Sequence, residues 1–369
     1  MKKRTNTHSP SLAALPSDLV GVICHMLNEN PIRYDGDSAL VASCSAFHKP
    51  HKEQSVWWKE AWKHVTDAQK SALVEHAELA LDLLSEGVDV AGFVPLLTSS
   101  AVANLRTLYL YDNKMGCDGM HVVASAIATG SMAKLETLEL SDNHIGDVGI
   151  TEFSRSIAMG SMAKLETLVL TNNLIGDVGI TKFSRSIAMC SMELTVLRLH
   201  GNNITDDGLA MLIPLFKTKL SKLTQFSIGS GITDKGMRVL SDEIAMGSMV
   251  NLAELNLDYN RISDAGLIAL SDAISKSSMA NLVDLGLSHN QISDAGVIAL
   301  SDAIGKGSMA NLHELRFSFN RIGDRGMEAF STAISSGSLP SLQEMFAFGN
   351  PGDAAAFTEA CNSRRIECM

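Results

Sequence analysis

An aspartate recurs about every thirty residues and could, in principle, supply a row of carboxylates for acid–base chemistry or for calcium. The series comprises Asp147, Asp177, Asp206, Asp234, Asp264, Asp294 and Asp324. Each member stands just before a helix-spaced apolar run, which is the position of a helix N-cap. We therefore expect these carboxylates to cap helices, and we predict neither catalysis nor calcium binding from them.

Other residue patterns that could carry chemistry are weak throughout the sequence. The six cysteines include no C-x-x-C pair, and the eleven histidines share no common position in the repeats described below. No phosphate-binding loop and no nucleophile elbow is present. The sequence predicts no catalytic residue, no metal site and no cofactor, so the chain is not expected to be an enzyme.

The elements that position these residues come from an internal repeat. Residues 135–164 are nearly repeated by the next thirty, and a period of this length is typical of a solenoid. The core pattern L-x-x-L-x-L begins 29 or 30 residues apart at Leu105, Leu135, Leu165, Leu194, Leu223, Leu252, Leu282, Leu312 and Leu342.

Each repeat is predicted to contain a short strand, a turn and a helix. The leucines alternate at the end of the core pattern, which indicates a strand with one apolar face. An asparagine follows three residues after the last leucine, and its amide could bond the turns of neighbouring repeats for about 1 kcal/mol per bond. This predicted ladder comprises Asn113, Asn143, Asn173, Asn202, Asn260, Asn290, Asn320 and Asn350. The fifth repeat lacks the asparagine.

The pattern from Ala101 to Asn350 resembles the leucine-rich repeats of the ribonuclease-inhibitor type. The resemblance implies an α/β solenoid, a horseshoe of about nine strand–turn–helix repeats with the strands on the concave side. We expect this domain to span residues 101–350, with residues 351–369 as a C-terminal capping helix.

Composition limits the class of partner. The formal net charge is −11, which argues against a nucleic-acid-binding surface. No apolar run reaches transmembrane length, and the basic start lacks the apolar stretch of a signal peptide. Together with the unpaired cysteines, these features favour a reduced intracellular compartment, the cytoplasm, with the nucleus as an alternative.

The N-terminal hundred residues do not share the repeat. After a basic tail predicted to be disordered (residues 1–10), a Leu-Pro pair opens an apolar helical pattern, a short cysteine-containing helix follows, and then a Val-Trp pair. This order resembles the F-box and implies a small all-α domain over residues 11–63, followed by a helical linker or N-terminal cap over residues 64–100. The matching positions are Leu15, Pro16, Leu19, Ile23, Leu27, Leu40, Cys44, Phe47, Val56 and Trp57.

The F-box resemblance implies that these residues bind a Skp-type adaptor and, through it, a cullin. The alternative reading is that the segment only caps the open end of the solenoid. The first loop is longer than in typical F-boxes, and Val56 replaces the common leucine, which leaves the adaptor contact in question.

A protein substrate would be held on the concave face, by strand residues that point away from the leucines. Aromatic residues and arginine are enriched at binding hot spots. The predicted contacts are Tyr109, Tyr111, Glu139, Arg198, His200, Asn256, Asp258, Arg316, Phe346 and Phe348.

These features favour the substrate-recognition subunit of a cullin–RING ubiquitin ligase. The rival is a non-catalytic repeat scaffold or regulator, similar to the ribonuclease inhibitor or to the Ran GTPase-activating protein, with a helical cap instead of an F-box. The sequence names neither the substrate nor the oligomeric state.

Overall fold

The computed structural model describes residues 41–43, 78–82, 97–98, 102–276 and 279–368. Within them, twelve strands form one parallel sheet whose order follows the sequence. The strands are β1 Val41–Ser43, β2 Glu78–Asp82, β3 Thr107–Tyr109, β4 Thr137–Glu139, β5 Thr167–Val169, β6 Val196–Leu199, β7 Gln225–Ile228, β8 Glu254–Asn256, β9 Asp284–Gly286, β10 Glu314–Arg316, β11 Glu344–Phe346 and β12 Glu367–Cys368. Parallel neighbours in sequence order are what stacked repeats require.

One helix follows each strand from β3 to β11. The helices are α1 Gly116–Ala128, α2 Gly146–Ala158, α3 Asp177–Met189, α4 Asp206–Leu212, α5 Asp234–Ala245, α6 Asp264–Lys276, α7 Asp294–Gly305, α8 Asp324–Ser335 and α9 Ala355–Arg364. A short 3-10 helix, Ile213–Leu215, extends the irregular stretch after α4. The described part of the chain contains no helix that is both long and apolar enough to cross a membrane.

The core lies between the sheet and the helices and runs without interruption through the repeats. The central strand leucines, such as Leu138, Leu168 and Leu255, are fully buried. Helix residues such as Phe153 and Phe183 pack against the leucines from the other side, and their rings lie 6.3 Å apart. The predicted strand–turn–helix repeat is confirmed over this region, since each unit buries its apolar face against its neighbours.

The described N-terminal segments differ from the predicted helices. Val41–Ser43 and Glu78–Asp82 are strands, and Glu78–Asp82 continues the parallel register by pairing Leu79 with Leu108. The sequence predicts helix at these eight residues, whereas the structure has strand there, and Glu78–Asp82 adds to the sheet beside β3. Apart from Val41–Ser43, the F-box-like segment lies outside the described residues, and with it all ten predicted adaptor contacts.

The asparagine ladder joins the turns of successive repeats. Asn143 is fully buried, donates to the carbonyl oxygens of Leu110 and Leu140 at 2.6 and 3.0 Å, and accepts from the backbone N–H of Asn113 at 2.9 Å. Asn173, Asn202, Asn260, Asn290, Asn320 and Asn350 make equivalent bonds. The ladder therefore satisfies buried turn groups that would otherwise cost about 1–3 kcal/mol each.

The fifth repeat has no ladder asparagine, yet the sheet continues through it. Strand β7 pairs with β6 over four residues and with β8 over three. A Cβ built at Gly231 would lie 2.5 Å from the carbonyl oxygen of Ile204, so glycine lets this turn approach its neighbour closely.

The aspartate series caps helices, but each carboxylate caps the helix of the next repeat rather than its own. Asp234 accepts from the Ser263 N–H at 2.8 Å, the Ser263 hydroxyl at 2.6 Å and the Gly266 N–H at 3.0 Å. Its own helix has Thr233 as N-cap. The aspartate is the first residue of its helix, one position beyond the N-cap, and its negative charge meets the positive end of the neighbouring helix.

The recurring glycine two residues after each aspartate follows from this contact. A Cβ built at Gly266 would lie 2.7 Å from Asp234 Oδ1, and at the equivalent Gly236 and Gly296 it would lie 2.3 and 2.8 Å from Oδ1 of the preceding aspartate. Any larger residue would displace the carboxylate that crosses from the neighbouring repeat.

The C-terminal segment contains a strand in addition to a helix, whereas the sequence predicts only a capping helix there. Helix α9 buries Phe357, Ala360 and Cys361, and β12 then pairs with β11. The last repeat is thereby covered on its helical layer and paired along its strand.

Candidate protein-binding site

The open face consists of the strand positions that point away from the helices, together with the turn residues that follow each strand. Because side chains alternate along a strand, the residue between two buried leucines lies on this face. Of the ten predicted contacts, Tyr111 and Phe348 are about half exposed, Asp258 is 8% exposed, and the remaining seven are half-buried.

The structure brings only part of the predicted set together. Tyr109 on β3, Tyr111 in the turn after it and Glu139 on β4 lie about 19–24 Å from β8 at the usual spacing of strands. Glu139 accepts from the Ser141 N–H of its own turn at 2.7 Å, and Asn256 accepts from the Asp258 N–H in the same way at 2.9 Å. These two side chains shape turns whether or not they bind a partner.

Arg316 is the centre of a charged cluster on β8–β10. Its Nη1 lies 2.6 Å from Glu314 Oε1 and 3.0 Å from Asp284 Oδ2, and its Nε lies 3.4 Å from Asp258 Oδ2. The contact with Asp258 is an ion pair without a hydrogen bond, since Nε has no hydrogen-bond partner. Glycine at 286 leaves room for this arrangement, because a Cβ there would lie 2.8 Å from Arg316 Nη2.

A second arginine connects the cluster to β6. Arg198 Nη2 lies 2.9 Å from both Glu254 Oε2 and Gln225 Oε1. Glu254 in turn is the β8 neighbour of Asp284 in the sheet register. The two arginines therefore hold carboxylates from the β8, β9 and β10 repeats on one continuous surface.

Burial shifts the pKa of several groups on this surface. Burial raises the pKa of Asp284 to about 6; Arg316 opposes the shift, while Glu314 and Glu254 add to it. Burial also raises the pKa of Asp258, and the partial compensation comes first from Arg316. Burial lowers the pKa of His200, so its imidazole is neutral at pH 7.

Polar atoms without a partner concentrate here. Seven buried side-chain polar atoms lack a hydrogen-bond partner within the described part of the chain, and five belong to the open face. They are Arg198 Nε, His200 Nδ1, Asp284 Oδ1, Arg316 Nε and Ser318 Oγ. Buried polar groups are normally paired, so this surface has hydrogen-bonding capacity to spare.

An aromatic row borders the charged cluster. It consists of His200, Tyr259, His289, Phe319 and Phe348, one side chain per turn apart from the fifth repeat. The ring of His289 stacks on Tyr259 at 4.0 Å and on Phe319 at 4.4 Å, and Phe348 meets Phe319 edge-on at 4.9 Å. Tyr259, Phe319 and Phe348 are 45–53% exposed.

The backbone beneath the row carries a cost. Tyr259, His289 and Phe319 have φ of 56°, 54° and 55°, in the left-handed region. The equivalent positions of earlier repeats are Asp112, Asp142 and Asn172, residue types that enter this region more readily. For residues other than Gly, Asn and Asp, the left-handed conformation costs about 1–2 kcal/mol.

The contacts predicted from the sequence do not include two features of this surface. His289 completes the aromatic row, and it occupies the same turn position as Tyr259 and Phe319, one residue beyond the predicted contacts. The second is an acidic column: Glu254, Asp284, Glu314, Glu344 and Glu367 are Cα partners on adjacent strands. These residues stand just before the central strand residue, outside the positions used for the predicted contacts. No group of metal-binding side chains occurs among the described residues.

Comparison with known proteins supports the repeat. A family model described as "Leucine Rich repeat" matches residues 131–154, 161–184, 191–212, 249–271, 278–301 and 308–331, and it leaves out the irregular fifth repeat. No curated protein matches the sequence. The crystal structure of an internalin (inlF) from Listeria monocytogenes is similar, with 18% identity over 86% of this chain and 94% of that chain and a TM-score of 0.42, a likeness too weak to inform function. The matched segments coincide with the strand–helix units described above, and the chain therefore carries leucine-rich repeats.

Proposed function

We propose that this chain is a protein-interaction scaffold that binds a protein partner on the open face of its C-terminal repeats. The observation that carries the proposal is the aromatic row. Its rings are large, exposed and stacked into one rigid surface, which are properties of binding hot spots. Three of the rings belong to residues at a left-handed turn position where Asp, Asn or Gly would cost less free energy, so the turn does not explain the choice of these residue types.

The charged cluster supports the same location. Asp258 contacts Arg316 and precedes Tyr259 in the chain, and the His200 and Tyr259 rings lie 5.6 Å apart. Aromatic anchors are therefore continuous with polar groups that have unused hydrogen-bonding capacity. A hydrophobic centre with adjacent polar groups is the usual composition of a protein interface.

The test compares two double variants of the full chain as bait for partners from its native source. Tyr259→Asn/Phe319→Asn removes the centre of the aromatic row with a residue that tolerates the left-handed backbone. Ile268→Asn/Ile298→Asn is the matched control, since these helix residues are 39% and 40% exposed on the opposite layer. We expect the first variant to lose its partners and the control to keep them. Capture unchanged in the first variant, with unchanged circular dichroism, would reject the proposal.

The finer proposal is that the scaffold is the substrate-recognition subunit of a cullin–RING ubiquitin ligase. It rests on the F-box-like order of Leu15, Pro16, Leu19 and the residues that follow, which would dock a Skp-type adaptor in an apolar groove. The purified chain should bind adaptor and cullin, and a Leu15/Pro16/Leu19 triple alanine variant should not.

The outcome of this second experiment is independent of the first. Adaptor binding retained by the triple variant, with unchanged circular dichroism, would argue against the F-box. The repeat scaffold with a helical cap would then be the remaining reading.

A further inference from the structure

The acidic column places like charges side by side on adjacent strands, an arrangement that lowers the stability of a sheet. Glu254, Asp284, Glu314, Glu344 and Glu367 occupy one register position on five consecutive strands. Neighbouring strands are about 4.8 Å apart, and like charges directly opposite one another destabilise a sheet. The equivalent positions on β3–β5 are all threonine, so the repeat itself does not demand a carboxylate.

The chain neutralises only part of this charge. In the described chain, the guanidinium groups that pair with the column are those of Arg198 and Arg316, and Arg316 also pairs with Asp258. Six carboxylates therefore lie on a surface with two paired cations, which contact four of them: Glu254, Asp258, Asp284 and Glu314. Asp284 Oδ1 is buried without a donor, although the other oxygen of the same carboxylate is paired.

The aromatic row lies beside the acidic column and adds apolar contact area to it. His289 stacks between Tyr259 and Phe319, so the row presents mainly ring edges, and His289 is the turn residue of the repeat that contributes Asp284. The stem of an arginine side chain packs on apolar surface, and its guanidinium group forms bidentate bonds with carboxylates, which an ammonium group does less well. Arginine is thus the side chain that both parts of the surface fit.

We propose that the open face of β8–β11 binds a basic, arginine-containing segment of a protein partner, whose guanidinium groups pair with the acidic column and whose side-chain stems pack against the aromatic row. The inference deepens the proposed scaffold function and rests on it. Charge complementarity selects this occupant, since an acidic segment or a nucleic acid would meet uncompensated carboxylates.

Three labelled decapeptides test the inference by fluorescence anisotropy against the full chain at physiological salt. They alternate glycine with arginine, with lysine or with glutamate. We expect the arginine peptide to bind most tightly, the lysine peptide more weakly, and the glutamate peptide not at all.

Two charge-matched variants separate the site from the general negative charge of the chain. Asp284→Asn/Glu314→Gln removes two charges from the acidic column, and Asp302→Asn/Glu328→Gln removes two exposed charges from α7 and α8. The first should weaken arginine-peptide binding at least about tenfold, the loss expected when charged contacts are removed, and the second less than about twofold.

Equal losses in the two variants, or binding of the glutamate peptide, would overturn the inference. Affinity for the arginine peptide that is unchanged by Tyr259→Asn/Phe319→Asn would overturn the contact with the aromatic row, and equal affinity for arginine and lysine peptides would overturn the preference for arginine. These failures are separable from failure of the scaffold proposal, because the peptide assay requires no natural partner.

Discussion

Replacing Asp234 by alanine removes the three hydrogen bonds through which one repeat caps the helix of the next. Two backbone N–H groups, of Ser263 and Gly266, lose a charged acceptor at 2.8 and 3.0 Å, and the Ser263 hydroxyl loses one at 2.6 Å. Hydrogen bonds to charged groups contribute about 1.5–3 kcal/mol each when buried. This site is only partly buried and water replaces some of them, so we expect a loss of about 2–4 kcal/mol in the free energy of unfolding.

The aspartates of the series make different numbers of hydrogen bonds. Their alanine variants should therefore show graded losses in the free energy of unfolding, measured by urea unfolding followed by circular dichroism. Asp294 makes two bonds, to the N–H groups of Gly323 and Gly326, and Asp324 makes one, to the N–H of Asp353. Destabilisation should therefore decrease from Asp234→Ala to Asp294→Ala to Asp324→Ala. Asp242→Ala, at an exposed position in the same helix as Asp234, is the control. An Asp234→Ala variant no less stable than this control would refute inter-repeat capping.

Three further predictions concern the glycine, the charged cluster and the aromatic row. Gly266→Ala should cost about 1–3 kcal/mol by crowding Asp234, and a double-mutant cycle with Asp234→Ala should show a combined loss smaller than the sum. Because the pKa of Asp284 is about 6 when folded and near its ordinary 3.8 when unfolded, the folded state binds the proton more tightly. The free energy of unfolding should fall as pH rises from about 4 to about 6, and Asp284→Asn should remove this decrease in urea titrations while leaving Arg316, Glu314 and Glu254 in place. Phe319→Asn should leave stability within about 1 kcal/mol of the parent, since relief of left-handed strain offsets the lost stacking; a larger loss in urea unfolding would show that the ring is needed for folding.

Much of the fold could be predicted from the sequence because the same strand, turn and helix pattern recurs in successive repeats. The leucine pattern recurs nine times, and every strand that it predicted between Leu105 and Phe346 is present. The asparagine spacing implied a turn ladder for the same reason, and the hydrogen bonds of Asn143 and Asn290 have that form. The strands at Val41–Ser43 and Glu78–Asp82 could not be predicted in this way, because only their pairing in the sheet distinguishes them from the helices expected there.

The candidate site was only partly predictable. Four residues were identified by their positions after or between leucines, and the structure brings them to one surface. They are Arg316, Asp258, His200 and Phe348. Their binding role stays a prediction. Which carboxylates surround Arg316 depended on the lateral register of β8, β9 and β10, whose residues are 26–58 positions apart in the chain.

By itself, the sequence determined the period, the alternation of buried leucines and the identity of the residues at each turn, since these depend on neighbours a few positions apart. The tertiary structure decided which repeat each aspartate caps, which carboxylates share an arginine, and which rings stack. Those contacts cross from one repeat to another, and their distances are set by strand pairing and helix packing. A side chain one residue beyond the N-cap thus stabilises the neighbouring helix, although its sequence context suggests its own.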